Sequence, residues 1–295
     1  MRPNLTRLAI NRALNWSGLK KLIVIIDGLR NSASNDEQIW RRETIEIVES
    51  FSHDTKIELW VYEQNVGITE HQIRIQKRAL QVEEHGIWLE EDMEVDFDAY
   101  TDIQIEDKLD TDSPLLFSGF SEFNHKELSD NTFKSSLFVP IWGLTINANL
   151  VELVEKVWRQ KKYNPEIVEN SLIRVFSDKT IDARIHLKSI ERFWVQYMSW
   201  GFSNPNRWDA LAIYSLWTKD SFVYSPMRRL VNDVSFLDHR GMNQRKKPNA
   251  TKEHNLRLRS VDDKSFCLDC EIKGSRIEKN LVKRGISAIK YKVVK

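Results

Sequence analysis

A chain of 295 residues accommodates one enzyme-sized domain with an extension, or two small domains. Its composition, 41% hydrophobic and 29% charged, is that of a globular protein, and no apolar run reaches the ~20 residues that a membrane-spanning helix needs. Because the N-terminus lacks the apolar region of a signal peptide and two cysteines do not make a disulfide framework, we predict a cytoplasmic protein. Its net charge is +1.

The first ninety residues alternate between helix and strand patterns. A short amphipathic helix with Pro3 near its first turn precedes an apolar run that starts at Lys21 and ends in Asp27-Gly28, which predicts a buried strand. In chain order, residues 31–36 predict a loop, 37–51 a helix, 56–62 a strand, 69–84 a helix and 86–89 a short strand. This alternation predicts an α/β fold with a mainly parallel sheet flanked by helices.

Polar residues follow three of these predicted strands directly. They are Asp27, the turn from Asn65 to Gly67, and the acidic run Glu90, Glu91 and Asp92. In parallel sheets, ligands bind beyond the carboxyl ends of the strands. These residues are therefore the first candidates for a binding site.

The middle of the chain is rich in aromatic residues and less regular. In order, we predict irregular chain over residues 100–136, a helix over 150–158, mostly helix up to 203, a helix that starts at 206–209 and ends at Trp217, and one strand over 222–231 with Pro226 inside it. From residue 240 to the end, 16 Lys and Arg stand against 6 Asp and Glu, a net of +10. We place the domain at residues 1–240 and a basic extension at 241–295.

The basic extension predicts contact with an anionic partner, such as the inner surface of a membrane, a lipid phosphate or an acidic glycan. A solvated basic face is the alternative. Basic residues there do not alternate with aromatic ones as they do in single-strand nucleic-acid binders, so we expect no nucleic-acid partner.

The acidic run Glu90-Glu91-Asp92 is the strongest chemical signal. Three adjacent carboxylates repel one another, and a divalent cation is the usual compensation. Mn²⁺ or Mg²⁺ prefers carboxylate oxygens and keeps positions open for substrate phosphates. A solvated acidic turn is the alternative.

Residues 86–95 resemble the segment around the acidic DXD-type motif of GT-A glycosyltransferases. Asp27-Gly28 and Asn65-Val66-Gly67 resemble two earlier turns of that family. Three later segments resemble motifs of one bacterial subgroup: Ile141 to Gly143, the Trp-Asp helix at Trp208 to Trp217, and Ser225-Pro226 to Phe236. Together these pieces span roughly residues 1–240.

The resemblance implies a GT-A-like sheet, mainly parallel but mixed. It also implies transfer of a sugar from a nucleotide diphosphate donor to the hydroxyl of a glycan or lipid-linked acceptor, with inversion at the anomeric carbon. The nucleotide usual in that family is UDP. The resemblance implies Asp92 and His239 as ligands of Mn²⁺ or Mg²⁺ and Asp209 as general base. It implies that the donor contacts Asp27, Asn65, Gly67, Glu90 and Glu91. For Asp209 the alternative is a helix N-cap or a first-turn acid that stabilises its helix.

Two features depart from the resemblance. Glu91 stands where the subgroup usually has Asp. The pair Arg2-Pro3, which in the subgroup follows the first strand of the sheet, here follows only Met1, so we expect that strand to be missing through a truncated reading frame. A nucleotidyltransferase on a similar sheet, a transferase that binds its donor without turnover, and a binding module that acts through the basic extension are the alternatives.

Overall fold

The computed structural model describes residues 2–82, 86–102, 112–119, 133–136, 143–176, 194–204, 207–221, 223–226 and 230–234. The basic extension 241–295 lies outside the described residues. The described helices are α1 (Pro3–Leu14), α2 (Asn35–Glu49), α3 (Ile68–Leu80), α4 (Phe97–Asp102), α5 (Ala148–Gln160), α6 (Pro165–Phe176), α7 (194–203) and α8 (Trp208–Trp217). The described strands are β1 (Leu22–Ile26), β2 (Ile57–Val61), β3 (Ile87–Trp88), β4 (Met93–Val95), β5 (Leu116–Ser118), β6 (Phe133–Ser136), β7 (Leu144–Ile146), β8 (Val223–Pro226) and β9 (Val231–Asp233).

The predicted elements of the first ninety residues are confirmed, with small shifts at their ends. Helix α2 begins at Asn35, two residues before the predicted start, because Ser34 and Glu37 form a capping box. The hydroxyl of Ser34 accepts a hydrogen bond from the N–H of Glu37 at 3.2 Å, and the Glu37 carboxylate accepts one from the N–H of Ser34 at 2.8 Å. Part of the segment predicted as loop therefore belongs to the helix.

Strands β1 and β2 form a parallel pair, with register from Leu22 opposite Ile57 to Ile26 opposite Val61. Helices α1 and α2 pack with them around a small core of Ile10, Ile26 and Val48. The carboxyl ends of β1 and β2 consequently lie side by side, as the alternation of elements predicted.

The remaining strands correct the predicted sheet. The second sheet has the order β3-β7-β5-β8-β6, and β4 pairs with β9 in a third. The chain is α/β, but of the six pairings among the described strands only β1 with β2 and β5 with β8 are parallel. The mainly parallel arrangement is therefore wrong for the described residues.

Two errors of prediction explain this difference. Residues 100–136, predicted as irregular, contain the end of α4 and the strands β5 and β6, which supply antiparallel partners. The single strand predicted over 222–231 is divided, because β8 ends at Pro226, which has no N–H to continue a ladder, and β9 begins at Val231 in another sheet.

Helix α8 is the centre of the main core. Apart from Asp209 and Ser215 its residues are apolar or aromatic on every face, and all but Asp209 are buried, as a helix enclosed by other elements requires. Trp217 meets Trp194 of α7 edge to face, with ring centroids 5.3 Å apart. Gly201 of α7 lies so close to Ala210 that an added Cβ would approach the Ala210 Cβ to 2.5 Å. This packing fixes α7 against the start of α8.

None of the helices that the structure describes is both long and apolar enough to span a bilayer.

Candidate functional site

The loops that follow β1 and β2 bring Asp27 and Asn65 into contact. The Asn65 amide donates to Oδ2 of Asp27 at 2.8 Å and to the carbonyl of Gly28 at 3.1 Å. The N–H of Gly28 donates to Oδ1 of Asp27 at 2.7 Å. Arg41 ties both strand ends together, since it donates to the carbonyl of Asp27 at 3.1 Å and to that of Tyr62 at 2.9 Å. The carboxylate of Asp27 is therefore fixed by several donors.

Two glycines make this loop contact possible. A Cβ on Gly28 would lie 2.2 Å from the carbonyl carbon of Gln64 and 2.5 Å from the N atom of Asn65. Gly67 has φ 83° and ψ 154°, a conformation that is essentially restricted to glycine, and its N–H donates to Oδ1 of Asn65 at 3.1 Å. Gly67 thus holds the Asn65 side chain in place and begins α3.

His71, in the first turn of α3, lies against the same carboxylate. Its Nδ1 is 3.3 Å from Oδ1 of Asp27, and its side chain is 12% exposed. Burial lowers the pKa of His71, the charge of Asp27 opposes that effect, and Arg74 adds to the lowering. The pKa therefore lies below the ordinary value of 6.5, which favours a neutral imidazole.

The acidic run forms a second group of side chains, with Arg2 at its centre. Nε of Arg2 lies 3.0 Å from Oε1 of Glu91, and Nη2 lies 2.8 Å from Oδ2 of Asp92. Asp92 is largely buried, with 10% of its side chain exposed, whereas Glu90 is exposed and its carbonyl closes the turn onto the N–H of Met93 at 3.0 Å. The run is therefore not a solvated acidic turn throughout.

Arg2 carries the compensating charge in this group. Burial lowers the pKa of Arg2, but the carboxylates of Glu91 and Asp92 raise it by more, so the guanidinium stays charged. Strand pairing anchors the turn, because the N–H of Val234 donates to the carbonyl of Asp92 at 2.7 Å. The ion pairs of Arg2 thus join the N-terminus of α1 to the turn before β4.

A divalent cation would need oxygen ligands from this group. Among the residues that the structure describes, no three His, Cys, Asp or Glu side chains converge on one point. Glu91 and Asp92 present two carboxylates, which is the usual protein share for Mg²⁺ bound with substrate phosphates, but Arg2 contacts both. The donors fit such an ion on the condition that Arg2 gives up or shares these contacts.

Asp209 belongs to a third group, at the start of α8. Arg207 is the N-cap residue, so Asp209 lies in the first turn and not at the N-cap itself. The hydroxyl of Tyr197 donates to Oδ2 of Asp209 at 2.7 Å, and Nε of Arg207 lies 3.6 Å from Oδ1. Burial and the nearby Asp209 charge raise the pKa of Tyr197, which keeps its hydroxyl protonated as a donor.

Several predicted residues are thus joined in separate groups. The structure brings Asp27, Asn65 and Gly67 together, and it brings Glu91 and Asp92 together through Arg2. Asp209 has its own partners on α7 and α8. His239, predicted as a metal ligand, lies outside the described residues.

Sequence reasoning missed the partners of these acids: Arg2, His71, Tyr197 and Arg207. The spacing of His71 was a usable signal. His71 follows Gly67 by four residues, about one helical turn, and so lies on the same side of the start of α3. Arg2 and Tyr197 belong to other elements than the carboxylates that they contact, and no local sequence pattern predicts such contacts.

No protein-family model matches the chain, and no curated protein matches it either.

Proposed function

We propose that the chain is a metal-dependent glycosyltransferase that moves a sugar from a nucleotide diphosphate, UDP by the resemblance of its motifs, to a hydroxyl of a glycan or lipid-linked acceptor. One observation carries the proposal. Asp27 and Asn65 are hydrogen-bonded to each other at the adjoining carboxyl ends of two parallel strands, in loops shaped by Gly28 and Gly67. Such a strand edge is where α/β proteins bind nucleotides.

In this proposal Asp27 and Asn65 contact the nucleoside of the donor. The side chain of Asp27 is 26% exposed, so its carboxylate is accessible to a ligand although it already accepts hydrogen bonds within the protein. Asn65 is exposed. A carboxylate and an amide held in one orientation are suited to the donors and acceptors of a base or a ribose. Glu90 and Glu91, after β3, complete the donor contacts.

Glu91 and Asp92 are the proposed ligands of Mn²⁺ or Mg²⁺, which when bound would neutralise the diphosphate leaving group. Arg2 would release at least one of its two carboxylates when the ion binds, and its guanidinium would then be available to a phosphate oxygen. Release of at least one of these two contacts by Arg2 is therefore part of the proposal.

Asp209 is the proposed general base. As the acceptor oxygen bonds to the anomeric carbon and the bond to the diphosphate breaks, the acceptor hydroxyl gives its proton to the Asp209 carboxylate. Tyr197 holds Oδ2 at 2.7 Å, which orients Oδ1 for this transfer. A well-placed base contributes roughly 10²–10⁴-fold in rate.

Turnover tests the proposal. Release of UDP is measured with a panel of UDP-sugars, Mn²⁺ and oligosaccharide acceptors, for the native protein, Asp209→Asn and the control Asp36→Asn, which alters an exposed first-turn acid of α2. We expect UDP release that falls by roughly 10²–10⁴-fold in Asp209→Asn only. Equal rates in Asp209→Asn and native protein would refute the role of Asp209.

A second candidate is a protein that binds the nucleotide sugar without transferring it. The ion pairs of Arg2 with Glu91 and Asp92 favour it, because they already neutralise the charge that a metal would neutralise. Nucleotide binding without UDP release in the turnover assay would select this candidate.

A further inference from the structure

An exposed tryptophan beside Asp209 lies in a group of side chains that the proposed chemistry does not yet use. Trp200 of α7 has 50% of its surface exposed, the largest exposed fraction among the big apolar residues that the structure describes. A half-exposed indole keeps an apolar ring face and an N–H donor available to a ligand.

Arg207 joins Trp200 to Asp209. Its guanidinium carbon lies 4.4 Å from the centroid of the Trp200 ring and 5.0 Å from that of Tyr197, while its Nε lies 3.6 Å from Oδ1 of Asp209. Indole and carboxylate therefore flank one guanidinium. Stacking on two rings fixes the guanidinium plane before any ligand arrives.

Hydrogen-bonding capacity remains in this group. Nε of Arg207 is itself buried and faces Oδ1 of Asp209 at 3.6 Å, so a ligand is met by the exposed part of the Arg207 side chain, which is 26% of it. Oδ2 of Asp209 accepts from Tyr197, which leaves the Oδ1 side of a carboxylate that is 24% exposed. The group thus offers a fixed donor, a fixed acceptor and an apolar ring next to one another.

We propose that Trp200, Arg207 and Asp209 form the acceptor subsite and that its ligand is the uncharged terminal pyranose of a glycan. The proposal rests on the proposed function, since it uses Asp209 as the base. A pyranose presents vicinal hydroxyls, which match a guanidinium donor beside a carboxylate acceptor, and an apolar C–H face, which matches the indole.

Charge decides between neutral and charged ligands. One guanidinium and one carboxylate give this group no net charge. The attraction of a uronate or phosphate to Arg207 would therefore be offset by its repulsion from Asp209. A neutral sugar meets no such opposition. The subsite therefore selects an uncharged sugar at the end of the acceptor.

Site-specific binding tests this proposal on the full chain. The protein is labelled with 5-fluorotryptophan, and the ¹⁹F resonance that disappears in Trp200→Phe is assigned to Trp200. Cellotetraose, maltotetraose and chitotetraose are titrated as neutral probes, and tetragalacturonate as the charged probe. Arg78→Gln is the matched control, because Arg78 lies 3.8 Å from the centroid of the Trp60 ring, a guanidinium stacked on an indole in another part of the fold.

We expect at least one neutral tetrasaccharide to move the Trp200 resonance, with affinity reduced about tenfold or more in Arg207→Gln and unchanged in Arg78→Gln. Trp200→Ala removes the ring and Trp200→Phe replaces it with a smaller one. If Trp200→Ala does not fold, Trp200→Phe still measures the loss of binding by calorimetry.

Three results would overturn the proposal: no neutral probe moves the Trp200 resonance, Arg207→Gln binds as tightly as native protein, or tetragalacturonate binds at least as tightly as the neutral probes. A Trp200 resonance that moves when only the protein concentration is raised would also overturn the proposal, because a second copy of the chain would then cover Trp200. Titration of UDP with Mn²⁺ in the same samples separates the two proposals. Nucleotide binding without glycan binding overturns only the subsite, and glycan binding without nucleotide binding sustains the glycan site while it contradicts the donor site.

Discussion

Gly28 has the least room of the residues that shape the candidate donor site, because its Cα faces the backbone of Gln64 and Asn65 directly. An added Cβ would lie 2.2 Å from Gln64 and 2.5 Å from Asn65, and backbone cannot rotate away as a side chain can. We expect Gly28→Ala to lower the free energy of unfolding by about 1–3 kcal/mol, measured by urea denaturation.

Gly86→Ala is the control for this change, since a Cβ on Gly86 would meet no heavy atom within 4 Å. It should change the free energy of unfolding by no more than about 0.5 kcal/mol. Equal effects of the two substitutions would show that the loops after β1 and β2 are not in the close contact described.

His71 makes stability depend on pH. Because burial holds its pKa below 6.5 in the folded state, the unfolded state binds the proton more readily, and stability is lost as the pH falls through 6.5 and below. We expect His71→Gln to remove part of the loss of stability between pH 7.5 and pH 5, with a limit of about 1.4 kcal/mol per pH unit for one proton.

Urea midpoints at the two pH values measure this effect, and His53→Gln, at an exposed position in the turn after α2, is the control. A native pH dependence that survives in His71→Gln, or that disappears equally in His53→Gln, would contradict the assignment to His71.

At the scale of elements, one buried side chain joins α5 to the sheet. Oδ1 of Asn147 accepts from the N–H of Leu150, which caps α5, and from the N–H of Leu115 at 3.0 Å, while its amide donates to the carbonyl of Ser113 at 2.8 Å. Asn147→Ala removes the cap and leaves a buried N–H without its acceptor, so we expect a loss of about 2–4 kcal/mol of unfolding free energy.

Glu152→Ala is the matched change, at an exposed position further along the same helix. Thermal or urea unfolding should find it within about 0.5 kcal/mol of the native protein. If Asn147→Ala were equally mild, the cap would not hold the segment before β5 in place.

Elements with a local signal were predictable from the sequence, and elements that depend on distant partners were not. The strand β1 is a continuous apolar run, and α5 is a capped amphipathic helix, so each is readable from its own residues. Strand β5 has three residues and pairs with β7 and β8, which lie far along the chain. Its pairing is set by tertiary contacts rather than by local preference.

Over the whole molecule the same distinction holds for the candidate site. The strand ends identified Asp27, Asn65 and the acidic run, because sequence alone shows where a strand stops. The ion pairs of Arg2 with Glu91 and Asp92 join residues about ninety positions apart, and no periodic pattern reports such a contact. The site was therefore predicted as a set of acids, and the structure adds the groups that hold them.

Calorimetric titration of UDP, GDP and CDP, with and without Mn²⁺, tests the central claim of a metal-dependent nucleotide-sugar enzyme most directly. It compares the native protein with Asp92→Ala and with Asp36→Ala, which removes an exposed acid in the first turn of α2. We expect that UDP binds only with Mn²⁺, that Asp92→Ala weakens binding tenfold or more, about 1.4 kcal/mol, and that Asp36→Ala binds as the native protein does. If none of the three nucleotides bound, or if binding depended on neither Mn²⁺ nor Asp92, the protein would not be a metal-dependent nucleotide-sugar enzyme.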